Sequence, residues 1–160
     1  MKKIDGGIWI DYEFKNEYQD SSLNGLVLNF SKELKREFIV KITRFIDYLQ
    51  TKYYFPIRCN LYFENVRNFF SLYGKRKTKG IFLFGDAEKK TFPSIYVSCK
   101  ITSHWSIEDV YYSTVKLLTY YFQWYFFQEN SRTNRSLEIE ATKYANYLVN
   151  IFLYENNINN

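Results

Sequence analysis

One histidine, His104, serves the whole 160-residue chain. A site that needs two imidazoles therefore has no place in one copy of it. That excludes an intact HExxH metallopeptidase centre, a three-histidine zinc site and a Cys2His2 finger. His104 stands in Ser103-His104-Trp105, ahead of a predicted helix, and reads as a loop residue. No Ser or Cys nucleophile pairs with it by spacing. Cys59 and Cys99 form neither a CxxC pair nor a disulfide framework. They read as reduced, partly buried thiols, since free Cys packs as a small hydrophobe. Glu138 and Glu140 are two apart, so a helix points them to different faces, which argues against a paired-carboxylate hydrolase. Gly6-Gly7, Gly74, Gly80 and Gly85 match neither a P-loop nor a dinucleotide fingerprint.

The sharpest electrostatic feature is Gly74-Lys75-Arg76-Lys77-Thr78-Lys79-Gly80. Net charge is +5 and unevenly placed. Residues 1–30 carry three Lys against five acids, while residues 31–58 carry seven basic residues against three acids. Lys35 and Arg36 thus add to the patch from a predicted helix. Such a surface attracts phosphates or acidic protein surfaces, and charge alone does not choose between them. Cations beside a strand edge also discourage edge-to-edge pairing.

The elements that must position these groups follow from patterning. Ile8-Trp9-Ile10 and Leu26-Val27-Leu28 read as an N-terminal strand pair, with Asn24-Gly25 as a turn signal. Ser31 reads as an N-cap, followed at helical spacing by Leu34, Phe38, Ile42, Phe45, Ile46 and Leu49. That helix ends near Tyr53, because Pro56 disfavours helical geometry at Phe55. Three strands are predicted over 57–66, 80–84 and 94–101. A second helix starts at Ser106, where Asp109 completes a capping box, and runs to about Gln128. A third covers about 136–154, with Leu137, Ala141, Tyr144, Ala145, Leu148, Ile151 and Phe152 as its apolar stripe.

The order is β-β-α-β-β-β-α-α. It predicts one α+β domain over 1–153, a small mixed or antiparallel sheet on three long helices. Residues 1–30 hold the strand pair, 31–153 the core, and 154–160 a frayed tail. With 15 Phe, 16 Tyr and 3 Trp, the chain is apolar enough to bury a core. Part of that aromatic excess is the residue usage of an AT-rich genome. Residues 110–127 are the most apolar stretch, but Lys116, Gln123 and several Tyr make them a core helix rather than a membrane span. No secretory leader is read at Met1–Asp5, so a cytoplasmic location is expected. The aromatics of the second helix, Tyr120 to Phe127, lie on all its sides. Those in excess of the core favour a protein interface or a homodimer.

Lys116-Leu117-Leu118-Thr119-Tyr120-Tyr121-Phe122-Gln123-Trp124 resembles a stretch of a small zincin-like family of bacteria and their phages. In that family HExxH is followed by Tyr, Tyr/Phe, Gln and Trp. Glu140-Ala141-Thr142-Lys143-Tyr144-Ala145 is similar to the family's third-ligand segment, and Ile95-Tyr96-Val97-Ser98 falls where its substrate-edge strand lies. The resemblance covers roughly residues 31–153 and implies a minimal zincin core. The catalytic positions depart from it. Lys116 replaces the first His, Leu117 the general base and Tyr120 the second His, and only Glu140 fits. A lone carboxylate does not hold zinc. A degenerate pocket is therefore expected, with no metal and no cofactor, in which Lys116 and Glu140 either form an ion pair beside Tyr120 or are solvated and unrelated.

The expected function is non-enzymatic binding of a protein, as a phage or mobile-element inhibitor or adaptor would do. The alternative is a basic nucleic-acid-binding module built on Lys75, Arg76, Lys77, Lys79, Lys35 and Arg36, with helix 32–53. A third reading is an enzyme with a site rebuilt around Lys116, Tyr120 and Glu140.

Overall fold

Strict alternation sets the central strand. Cys59, Leu61 and Phe63 are buried, while Asn60, Tyr62 and Glu64 between them are half-buried. The structure, a computed structural model, describes residues 7–18, 23–70, 76–86, 89–126 and 132–158. Its elements are a 3-10 turn Tyr12–Glu17, β1 (Leu26–Phe30), α1 (Arg36–Lys52), β2 (Cys59–Glu64), β3 (Phe69–Phe70), β4 (Lys77–Thr78), β5 (Gly80–Leu83), β6 (Ser94–Ser98), α2 (Ile107–Tyr125) and α3 (Asn134–Ile158). The fold is mixed α+β, with a small main sheet and three helices around a single core.

The main sheet has the order β1-β2-β6-β5. β1, β2 and β6 are parallel, and β5 runs antiparallel at one edge. β3 and β4 form a separate two-stranded hairpin. β6 is thus an interior strand, not the edge strand that the zincin resemblance implied. β5 takes the edge.

The N-terminal strand pair does not form. β1 pairs instead with β2, in parallel, from Leu26↔Cys59 to Phe30↔Phe63. Ile8, Trp9 and Ile10 are all buried, so they lack the alternation a half-buried strand needs. They form an irregular plug. Ile8 N donates to the Tyr144 hydroxyl at 2.8 Å, and Trp9 Nε1 donates to Thr119 Oγ1 at 3.0 Å. Gly25 takes φ +82°, the left-handed turn geometry that Asn24-Gly25 signalled.

Helix α1 starts at Arg36, later than Ser31. Ser31 instead closes the turn before it, accepting Leu34 N at 3.2 Å through its carbonyl. The capping box of α2 is present: Asp109 N donates to Ser106 Oγ and Ser106 N to Asp109 Oδ2. α3 runs past 154 to Ile158, and Glu155 meets Lys52 at 3.3 Å. A frayed tail from 154 is therefore not what forms; residues 159–160 lie outside the described residues.

The helices share one face of the sheet. Phe45 of α1 stacks on Tyr111 of α2 at 4.4 Å, and both meet Phe152 of α3 edge-on. At the other end of the pair, Gln123 of α2 meets Leu137 and Glu140. α2 and α3 thus run antiparallel. α2 also crosses β5 closely, since a Cβ on Gly80 would lie 2.5 Å from Leu117 Cδ1. Among the described residues no helix is long and apolar enough to cross a membrane.

Candidate functional site

Helical spacing places Lys116, Tyr120 and Gln123 on one stripe of α2, at i, i+4 and i+7, and the structure turns that stripe toward α3. The ion pairing differs from expectation. Lys116 Nζ meets Glu138 Oε1 at 3.4 Å, not Glu140. Glu140 Oε1 is held at 2.7 Å by Arg132 Nη1 and at 3.0 Å by Gln123 Nε2. Glu138 and Glu140 do face different ways, as their spacing required. Nothing in the sequence said which of them Lys116 would meet, and nothing marked Arg132 as the partner of Glu140.

The two pairs differ in weight. The Glu138 side chain is 63% exposed, so its pair with Lys116 is a surface interaction. The Arg132–Glu140 pair is 24% and 21% exposed. Arg132 also donates to Ser136 Oγ and to the Ser136 carbonyl, while Gln123 Nε2 donates to the Leu137 carbonyl. Lys116→Ala is therefore expected to cost under about 1 kcal/mol. Arg132→Ala is expected to cost about 2 kcal/mol, because it strips a half-buried carboxylate of its main partner. Urea unfolding of both variants measures the difference. Equal losses would mean that the two pairs carry equal weight and that burial does not set them apart.

Leu117 is buried against Gly80 and has no route to a reacting atom. Tyr120 is half-buried, and its hydroxyl is pushed up to about 12 by burial, with the Glu138 charge adding to the shift. A phenol in that state donates hydrogen bonds at neutral pH and does not act as a base. Lys116, Tyr120 and Glu140 thus do not converge as a rebuilt catalytic triad. Tyr120 and Glu138 line one hollow, and Glu140 lines another with Arg132, Ser136 and Tyr144. Among the described residues no three His, Cys, Asp or Glu side chains cluster as metal ligands.

The hollow at Tyr120 is a groove of about 370 Å³ between the three elements nearest the sheet edge. β5 and the residue after it supply Phe82 and Phe84, α2 supplies Tyr120 and Trp124, and α3 supplies Leu137. Phe82 meets Trp124 at 6.3 Å and Phe84 at 5.6 Å. Phe84 is 65% exposed, a large apolar surface left in solvent. The strand rim is also open. Ser98 N donates to the Lys79 carbonyl, which fixes the alternation of the β5–β6 ladder. Ile81 and Leu83 then bond to β6, and the N–H and C=O of Phe82 face outward. Among the described residues β5 has no strand on that side. Phe82 and Phe84, two apart, carried the one-face signal in the sequence, but no motif marked them.

His104 is an exposed loop residue. Cys59 and Cys99 are free and fully buried, rather than partly buried as expected. Burial pushes both thiols up, Cys99 to about 11, so neither is a thiolate nucleophile at neutral pH. Lys35, Arg36, Arg76 and Lys77 are exposed, and Lys79 is half-buried. Lys75 lies outside the described residues. Compared with protein-family models, curated proteins and solved structures, the chain has no significant match in any of the three.

Proposed function

We propose that the chain is a zincin-like protein without a catalytic centre that binds a protein partner, taking an extended apolar segment into the groove between β5, α2 and α3. The observation that carries this reading is the groove itself: an aromatic floor beside a strand edge whose outward N–H and C=O at Phe82 await a partner. Main-chain bonds along the free edge would supply affinity, and alternate side chains dropping onto Phe84, Trp124 and Leu137 would supply selectivity. The zincin part of the reading draws support from the contact between its two motifs. Gln123, in the Tyr-Tyr-Phe-Gln-Trp stretch, bonds Glu140 of the third-ligand segment. The positions that would do chemistry are committed elsewhere, Leu117 to packing and Glu140 to Arg132. A small inhibitor or adaptor works in this way.

The test is selection of random displayed peptides on the immobilised full chain, followed by affinity measurement. Enriched peptides are expected to alternate apolar and polar residues and to lose about tenfold or more on Phe84→Asp, the scale of one anchor residue. Peptides that bind wild type and Phe84→Asp equally would remove the groove as the site. Near-stoichiometric zinc in tag-free protein would overturn this reading in favour of a metalloenzyme.

A further inference from the structure

The opposite end of the sheet has different chemistry. The parallel strands β1, β2 and β6 all finish there, and antiparallel β5 begins there. Four connections meet at that end, and hydrogen bonds tie them together. Ser31 N donates to the Phe63 carbonyl, and Asn65 Nδ2 donates to Glu33 Oε2 at 3.3 Å. Cys99 N donates to the Glu64 carbonyl, and Ser98 Oγ to the Arg67 carbonyl at 3.1 Å. Lys79 Nζ donates to the same Arg67 carbonyl at 2.7 Å and lies 4.9 Å from the Trp105 ring centre.

Each of these connections brings exposed cations. Lys35 and Arg36 come from the start of α1, Arg67 follows β2, Arg76 and Lys77 lead into β5, and Lys100 follows β6. Among the described residues none of these six forms an ion pair. The acids nearby are fewer: Glu33, Glu37, Glu64, Glu108 and Asp109, with Glu33 already bonded to Asn65 and Asp109 to Ser106. An aromatic stands among the cations. Phe70 is paired directly opposite Lys77 in the hairpin and is 63% exposed. Just below, Tyr62 and Tyr96 stack at 4.7 Å on the sheet face away from the helices, with Phe69 edge-on to Tyr96.

We infer that this end of the sheet binds single-stranded nucleic acid. The cations follow the phosphates, and Phe70 offers a flat, exposed ring on which a base stacks. Charge complementarity selects a polyanion. The solvent-exposed ring opposite Lys77 favours a strand with unpaired bases, each nucleotide of which carries both a charge and a free π-face, over a duplex whose bases are stacked on one another. The surface lies away from the groove between β5, α2 and α3 and does not depend on it.

The test is fluorescence anisotropy with labelled oligo-dT and oligo-U strands across a salt series, using the full chain. Arg67→Gln/Arg76→Gln/Lys77→Gln removes three patch charges. Lys41→Gln/Lys89→Gln/Lys143→Gln removes three exposed charges elsewhere and leaves the same net charge. The patch variant is expected to lose binding and to flatten the log–log salt slope by about 2, at roughly 0.7 per phosphate contact. The control variant is expected to bind nearly as wild type. Phe70→Ala is expected to weaken binding about tenfold with the salt slope unchanged. The inference is overturned by no binding at low salt, by equal losses in the two triple variants, or by a Phe70→Ala variant that binds as wild type. Tighter binding to a duplex, an acidic peptide or anionic vesicles than to either strand overturns it too.

Discussion

Trp9→Ala is expected to lower the unfolding free energy by about 4 kcal/mol. The ring is buried against Tyr53, Phe55, Phe122 and Tyr144, at centroid distances of 5.1, 5.8, 5.1 and 6.0 Å. Those partners come from the end of α1, the segment after it, α2 and α3. Removal therefore opens a cavity where four segments meet, and no single one of them can collapse into it. The indole N–H also gives up its bond to Thr119 Oγ1. Thr119 still donates to the Val115 carbonyl at 2.8 Å, so that lost bond is the smaller part. For a chain of this size the melting temperature should fall by roughly 8–16 °C. Thermal and urea unfolding check the figure, with Trp9→Phe retaining most of the volume and most of the stability. A loss under about 1 kcal/mol would mean that the N-terminal plug contributes little to the fold.

Tyr121→Phe removes one oxygen and is expected to cost about 2–3 kcal/mol. The hydroxyl is buried and works twice on one residue. It donates to the Ile57 carbonyl at 2.6 Å and accepts from Ile57 N at 2.9 Å. Phenylalanine keeps the packing against Phe55 and Phe122 but leaves both Ile57 groups unpaired. The same hydroxyl carries a pH signature. Burial raises it well above its ordinary value of 10.0. Its contribution is thus complete below the unfolded value and is lost as pH rises above it, because only the unfolded chain ionises. Wild type should lose stability above that value more steeply than Tyr121→Phe. Parallel slopes in alkaline urea titrations would show that this hydroxyl is not the group responsible.

The sequence revealed most where the local signal and the tertiary demand agree. Ser106 and Asp109 form their capping box because both partners lie within one turn. Pro56 disfavours helical geometry at Phe55 and so bounds α1, which stops at Lys52, and the alternation of Cys59, Leu61 and Phe63 survives because only one face of β2 meets the helices. The signal failed where a choice depended on distant partners. Ile8-Trp9-Ile10 has strand composition, yet its backbone bonds go to Tyr54 and a tyrosine hydroxyl instead of a ladder. The hairpin strands β3 and β4 are two residues each, too short for periodicity. At the candidate site, which glutamate meets Lys116 depends on how α2 and α3 are rotated against each other. That rotation is set by the whole interface, and a spacing of two residues does not encode it.

The bond from Ile8 N to Tyr144 spans 136 residues of chain. At about 5–20 residues per second, a ribosome needs roughly 7–27 s to travel from one partner to the other. Through most of that interval Ile8, Trp9 and Ile10 have only part of their seat, with Tyr53 and Phe55 made but Phe122 and Tyr144 still missing. This cluster thus leaves the exit tunnel long before the last part of its seat is made. Newly made chains pass through a period with a half-covered, tryptophan-centred sticky segment, which is the kind of surface that chaperones hold and that neighbouring nascent chains aggregate through.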